Sequence, residues 1–114
     1  MASCEQNERA DVTPIVEIDR LVHEPARLSI LSLLYVVERA EFLYLLRQTG
    51  LTRGNLSSHL STLERAGYVE VTKEFVDKRP LTLLRLTEQG RAAFDDYRKR
   101  MRQFLGDLPA PWSI

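Results

Sequence analysis

The stretch LTRGNLSSHLSTLERAG, residues 51–67, gathers most of the side chains in this chain that invite a chemical reading. Two chemistries suit it. Serines flanking His59 suggest a nucleophile beside its base. Arg53 and Asn55, with the hydroxyls of Thr52, Ser57, Ser58, Ser61 and Thr62 and the small Gly54, suggest contacts to base edges and phosphates. Helix geometry separates the two. Adjacent helical residues point roughly 100° apart, so Ser58 and His59 do not face each other. On the same wheel Leu56, Leu60, Leu63 and Ala66 form a narrow stripe that must face a core. Gly54, Asn55, Ser58, Ser61, Thr62 and Arg65 lie opposite, with Arg53 and Ser57 flanking. A merely solvated face would be rich in Glu and Lys. This one carries small hydroxyl residues that let a helix settle deep in a major groove, with Asn and Arg as bidentate readers.

Other chemistry finds little support. There is no G-x-G-x-x-G, no P-loop, no pair of carboxylates in an apolar setting and no plausible Cys–His pair. His59 has only His23 as a second imidazole and no cysteine nearby, so it reads as a packing or capping residue and no metal is expected. No cofactor is implied. Farther on, VDKRP places Lys78 and Arg79 at a turn, and Lys73 precedes them, where cations would meet phosphates or a minor groove.

A chain of 114 residues is one domain by length. Its formal net charge is zero, but the charge is uneven: residues 1–20 hold five acids and two bases, and residues 80–105 hold six bases and three acids. Neutrality overall is therefore compatible with a basic face. The single cysteine, Cys4, forms no internal disulfide and fits a reducing compartment. The acidic start MASCEQNERADV is no signal peptide, and the longest apolar stretch, near Ile30–Val37, is far short of a membrane span. A cytoplasmic protein without membrane contact is the expectation.

These side chains need elements to position them. Residues 1–13 read as a disordered tail, 14–106 as the domain and 107–114 as a C-terminal tail. Ile15, Ile18 and Val22 sit at helical spacing and suggest a short first helix. HEPARLSILSLLYVVER reads as a second, with Pro25 in its first turn, and AEFLYLLRQTG as a third that stops at Gly50. Thr52 caps the fourth, which ends at Gly67. YVEVTKEF and LTLLRL alternate like strands about the VDKRP turn, and Thr87 can cap a last helix running to about Leu105. The fold class is mainly α with a small β-hairpin (α+β): a winged helix-turn-helix with a long C-terminal helix. In that helix Phe94, Tyr97, Met101 and Phe104 repeat like a heptad seam. With Ile15, Ile18 and Val22 they are the expected dimer interface.

The stretch LTRGNLSSHLSTLERAGYVEVTKEFVDKRPLTLLRLTEQGRAAF resembles the winged-helix DNA-binding regulators at the border of the MarR and ArsR families. With EPARLSILSLL the resemblance spans about residues 17–105. It implies that TRGNLSSHLSTLERAG is a recognition helix, KEFVDKRPLT a wing, and that terminal helices build a dimer. ArsR-type metal sensors carry a cysteine pair that AEFLYLLRQTG lacks, which speaks against metal sensing by that site. Larger MarR proteins hold phenolic ligands under a longer dimer domain, which speaks against such a pocket here. The expectation is a homodimeric repressor on a palindrome in double-stranded DNA, its effector, operator and target genes unspecified. The rivals are a winged helix that docks a protein and, more weakly, a hydrolase using Ser58 or His59.

Overall fold

The computed structural model describes residues 18–106. Its elements are α1 (Pro25–Val37), β1 (Arg39–Glu41), α2 (Phe42–Thr49), α3 (Arg53–Arg65), β2 (Val69–Val76), β3 (Arg79–Leu86) and α4 (Glu88–Gly106). The strands form one antiparallel sheet in the order β1-β3-β2, with Val69 opposite Leu86 and Val76 opposite Arg79. The expected helix-turn-helix and hairpin are present.

Local chemistry explains most of the boundaries. Glu24 accepts the Arg27 amide at 2.7 Å and Pro25 opens α1, where its missing N–H leaves no helical bond unmade. Thr52 caps α3 by accepting the Asn55 amide at 3.1 Å, and Thr87 caps α4 by accepting the Gly90 amide at 2.9 Å. Gly67 ends α3 at φ 83, a conformation that costs glycine little. Its amide bonds Glu64 and the Tyr68 amide bonds Leu63, both at 2.9 Å, so two otherwise orphan carbonyls are satisfied.

The core lies where α1, α2, α3, the inner face of the sheet and the first half of α4 meet. Ile30, Leu31, Leu34, Leu45, Leu56, Leu63 and Leu84 are fully buried. The stripe read from the sequence of α3 is its buried face: Leu56, Leu60 and Leu63 are covered and Ala66 is half-buried. Leu60→Ala should therefore cost about 2–3 kcal/mol, lowering the melting temperature by roughly 10 °C. A thermal melt matching wild type would mean that α3 is turned the other way round.

Four expectations need correction. Residues 18–24 are turns, not a helix, because the Asp19 carboxylate takes the Leu21 amide at 2.9 Å and competes with helical bonding; Ile15 lies outside the described residues. Residues 39–41, read as the last residue of the second helix and the first two of the third, form a third strand instead, since β3 offers its free edge to them. The hairpin turn shrinks to Asp77 and Lys78, both at positive φ (53° and 67°), and Arg79 and Pro80 join β3.

The fourth concerns the seam. Val22, Ile18, Phe94 and Tyr97 are all buried within the subunit, Phe94 and Tyr97 at 7 % exposure, so they do not form the uncovered stripe that the heptad spacing suggested. Tyr35 packs on Phe94 with ring centroids 5.2 Å apart, and His23 Nδ1 meets the Tyr97 hydroxyl at 2.9 Å. Burial pushes the Tyr97 phenol above its ordinary pKa. Met101 and Phe104 are only half-buried. From Arg98 to Gly106 no residue of α4 is buried, and Leu105 is 56 % exposed.

Candidate nucleic-acid interface

The outward face of α3 carries Arg53, Gly54, Asn55, Ser57, Ser58 and Ser61, all exposed. The Asn55 amide group and the hydroxyls of Ser57, Ser58 and Ser61 hydrogen-bond nothing among the described residues. They are free to bond a ligand. Thr52 and Thr62 are committed locally: Thr52 is the cap, and Thr62 donates to the Ser58 carbonyl at 3.1 Å while Arg65 reaches its hydroxyl at 3.5 Å. The amides of Arg53 and Gly54, in the first turn, also take no partner among the described residues. They point out of the positive end of the helix, which suits an anion.

His59 does not join this face. It is half-buried, with Nδ1 3.2 Å from an Arg27 guanidinium nitrogen; Arg27 also donates to the Leu21 carbonyl at 2.6 Å. His59 thus ties α3 to α1 and the preceding turn, the packing role its position suggested. A second tie lies at the far end of the helix. The Tyr68 hydroxyl donates to the Asp19 carboxylate, and burial, followed by that hydrogen bond, pushes its pKa up to about 12. The phenol therefore stays protonated and donating well above neutral pH.

Between α3 and the hairpin runs an open cleft of about 610 Å³. It brings Arg53, Ser57 and Ser61 together with Lys73 on β2 and Thr82 on β3, over a floor that includes Leu60 and Val71. Lys73 stands directly opposite Thr82 in the strand register. Among the described residues Glu64 is the one carboxylate at the cleft, and in a major groove it would accept from a cytosine amino group. Lys78 and Arg79 are not part of this cleft; they stand at the end of the hairpin. Arg53, Lys73, Lys78 and Arg79 make no ion pair among the described residues, whereas Arg85, Arg98 and Arg100 pair with Glu70, Asp95 and Asp96. Thr82 and Glu64 are additions to the residues expected from the sequence. Only the strand register reveals Thr82, while Glu64 borders the apolar stripe of the wheel, a position that periodicity does mark.

A helix whose outward face is polar and unpartnered, followed by a cationic hairpin, is a nucleic-acid architecture. Residues 26–105 match the family of winged helix DNA-binding domains. The chain belongs to that family. In the terms of that fold α2 and α3 form the helix-turn-helix and the β2–β3 hairpin is the wing. A protein of Methanocaldococcus jannaschii, MJ0432, itself uncharacterised, is 41% identical over 78 residues, covering 68% of this chain and 85% of its own. The HTH-type transcriptional regulator YdgJ of Bacillus subtilis, also uncharacterised, is 31% identical over 85 residues, covering 75% of this chain and 51% of its own. A solved transcriptional regulator homologue from Pyrococcus horikoshii superposes with a TM-score of 0.78 at 29% identity, covering 86% of this chain and 98% of that one. A MarR-family regulator from Silicibacter pomeroyi shares the fold at 22% identity, with a TM-score of 0.57 over 90% of this chain and 70% of that one.

Family and fold are those of transcriptional regulators, not of enzymes. Ser58, exposed, and His59, turned to Arg27, belong to different faces of α3 and form no catalytic pair. No group of three His, Cys, Asp or Glu side chains among the described residues is placed to hold a metal ion, and no helix among them is long and apolar enough to cross a membrane.

Proposed function

We propose that this winged helix is a cytoplasmic homodimeric repressor that reads an imperfect palindrome in double-stranded DNA. The observation that carries the reading is the set of unengaged Asn55, Ser57, Ser58 and Ser61 side chains beside the unpaired Arg53 and Lys73. Small side chains let α3 approach base edges, Arg53 and Asn55 supply the bidentate contacts, and the free first-turn amides fit a phosphate. Lys78 and Arg79 at the wing tip add charge where the flanking backbone would pass. The exposed second half of α4, with Met101, Phe104 and Leu105, is the surface on which a second copy would pack. A two-fold axis there would present two recognition helices to successive major grooves. Occupying a promoter is enough to block transcription, so repression requires no surface beyond these.

Mobility shifts repeated across a salt series test the proposal. Specific binding should show a steep log–log salt slope. Lys78→Ala with Arg79→Ala should flatten it by roughly 0.9 for each phosphate no longer neutralised, while leaving sequence preference intact. No shift on any duplex, even at low salt, would favour the rival in which the same polar face docks a protein.

A further inference from the structure

Phe75 is 79 % exposed and lies two positions from the turn of the wing. Along β2 the side chains alternate, so Val69, Val71, Lys73 and Phe75 share one face, with Leu86, Leu84, Thr82 and Pro80 opposite them on β3. That face begins in the core, passes along the cleft beside the recognition helix and ends in an exposed apolar pair, Phe75 and Pro80, of which Pro80 also borders a smaller cleft with Arg53 and Glu41. The other face of β2 carries Glu70, Thr72 and Glu74. The wing therefore turns Glu70 and Glu74 away from the cleft, and Lys73 and the phenyl ring toward the side where DNA would lie; its third acid, Asp77, sits in the turn.

We propose that Phe75 is a wedge that enters the minor groove next to the recognition helix and partly unstacks one base step, kinking the duplex. The proposal rests on the DNA-binding reading above and specifies what its wing does. Charge favours DNA as the occupant. Lys73 on the same face and Lys78 and Arg79 at the tip flank Phe75 along the hairpin and outnumber Asp77 of the turn. None of the three is ion-paired among the described residues. A base step is a flat apolar slot between two anionic strands, so a phenyl ring flanked by free cations matches it. Pro80 directly opposite gives the ring a stiff support. A two-residue turn makes Val76 and Arg79 the hydrogen-bonded pair, so Phe75 and Pro80 form the next, non-bonded pair. There the proline removes no ladder bond. Apolar wedges of this kind bend duplexes by about 20–90°.

The test uses the full chain and a duplex that it selects from a randomised pool. Energy transfer between the duplex ends reports the bend, and 2-aminopurine placed under the wing reports unstacking. Wild type should bend the duplex and brighten the probe. Phe75→Ala should straighten the DNA, leave the probe quenched and weaken binding roughly tenfold, with the salt slope and melting temperature unchanged. Phe75→Leu, still a wedge, should retain most of the bend. Equal bends and probe signals for wild type and Phe75→Ala would overturn the wedge while leaving DNA binding intact. A wild-type chain that enriches no duplex would overturn the DNA-binding reading, and the wedge with it.

Discussion

Replacing Gly90 by valine should leave the chain without a stable fold at room temperature. Gly90 lies in the first turn of α4 and is buried. A Cβ at that position would stand 2.2 Å from the Tyr68 carbonyl oxygen and 2.9 Å from a Leu86 methyl. The oxygen belongs to the backbone that joins α3 to β2, and it already accepts the Thr87 amide at 3.0 Å. It cannot rotate away as a side chain would. Admitting even alanine means lifting α4 off this junction, breaking that hydrogen bond and the one from the Thr87 hydroxyl to the Gly67 carbonyl at 2.6 Å. Overpacking of a tight core usually costs about 1–3 kcal/mol. Here two hydrogen bonds break as well, so Gly90→Ala should cost about 3–5 kcal/mol. The branched valine should exceed the roughly 5 kcal/mol that marks the lower end of domain stability. Circular dichroism melts of the two variants check this. A melting temperature for Gly90→Ala within a few degrees of wild type would show that α4 does not sit on Tyr68 as described.

The second large effect concerns assembly. Replacing Met101 and Phe104 together by glutamate should turn the proposed dimer into a folded monomer, with operator affinity falling by roughly 10²–10⁴-fold as two linked half-sites become one. Both residues lie beyond Tyr97, where no residue of α4 is fully buried; Met101 still packs partly on the core, so the variant should lose some stability but keep its fold. Across a two-fold axis four carboxylates would be forced together in an apolar setting, which neighbouring contacts do not offset. Phe94 and Tyr97 are unsuitable for this test because their removal would empty the subunit's own core. Sedimentation gives the result directly. A wild-type chain that runs as a monomer at micromolar concentration would remove the interface.

What was legible in the sequence was local. The leucines at 56, 60 and 63, the caps at Thr52 and Thr87 and the stop at Gly67 act within a turn or two of chain, and each has the role its chemistry implies. The free face of α3 followed from the same periodicity. β1 was not legible because three residues carry no period, and its partner lies more than forty positions away in β3. The turn around Asp19 was hidden because Ile18 and Val22 have the spacing of a helix, and spacing does not record the Asp19 side chain bonding the backbone instead. The aromatic seam of α4 failed for another reason. A heptad repeat is indifferent to whether its partner is another copy or, as for Phe94 and Tyr97, residues of the same chain such as Tyr35 and His23. Thr82 and the exposure of Phe75 depend on strand register. That register depends in turn on a two-residue turn where the polar run VDKRP suggests a longer one.

Whether α3 reads DNA sequence can be seen by footprinting the purified chain on genomic fragments, including DNA upstream of its own gene. Two similar half-sites in inverted orientation should be protected, their centres about one helical turn (roughly 10 bp) apart or a multiple of that. Arg53→Ala, which leaves the core untouched, should erase that protection at concentrations where wild type is saturated. Uniform coating of every fragment, or a footprint that survives Arg53→Ala unchanged, would contradict sequence reading by α3.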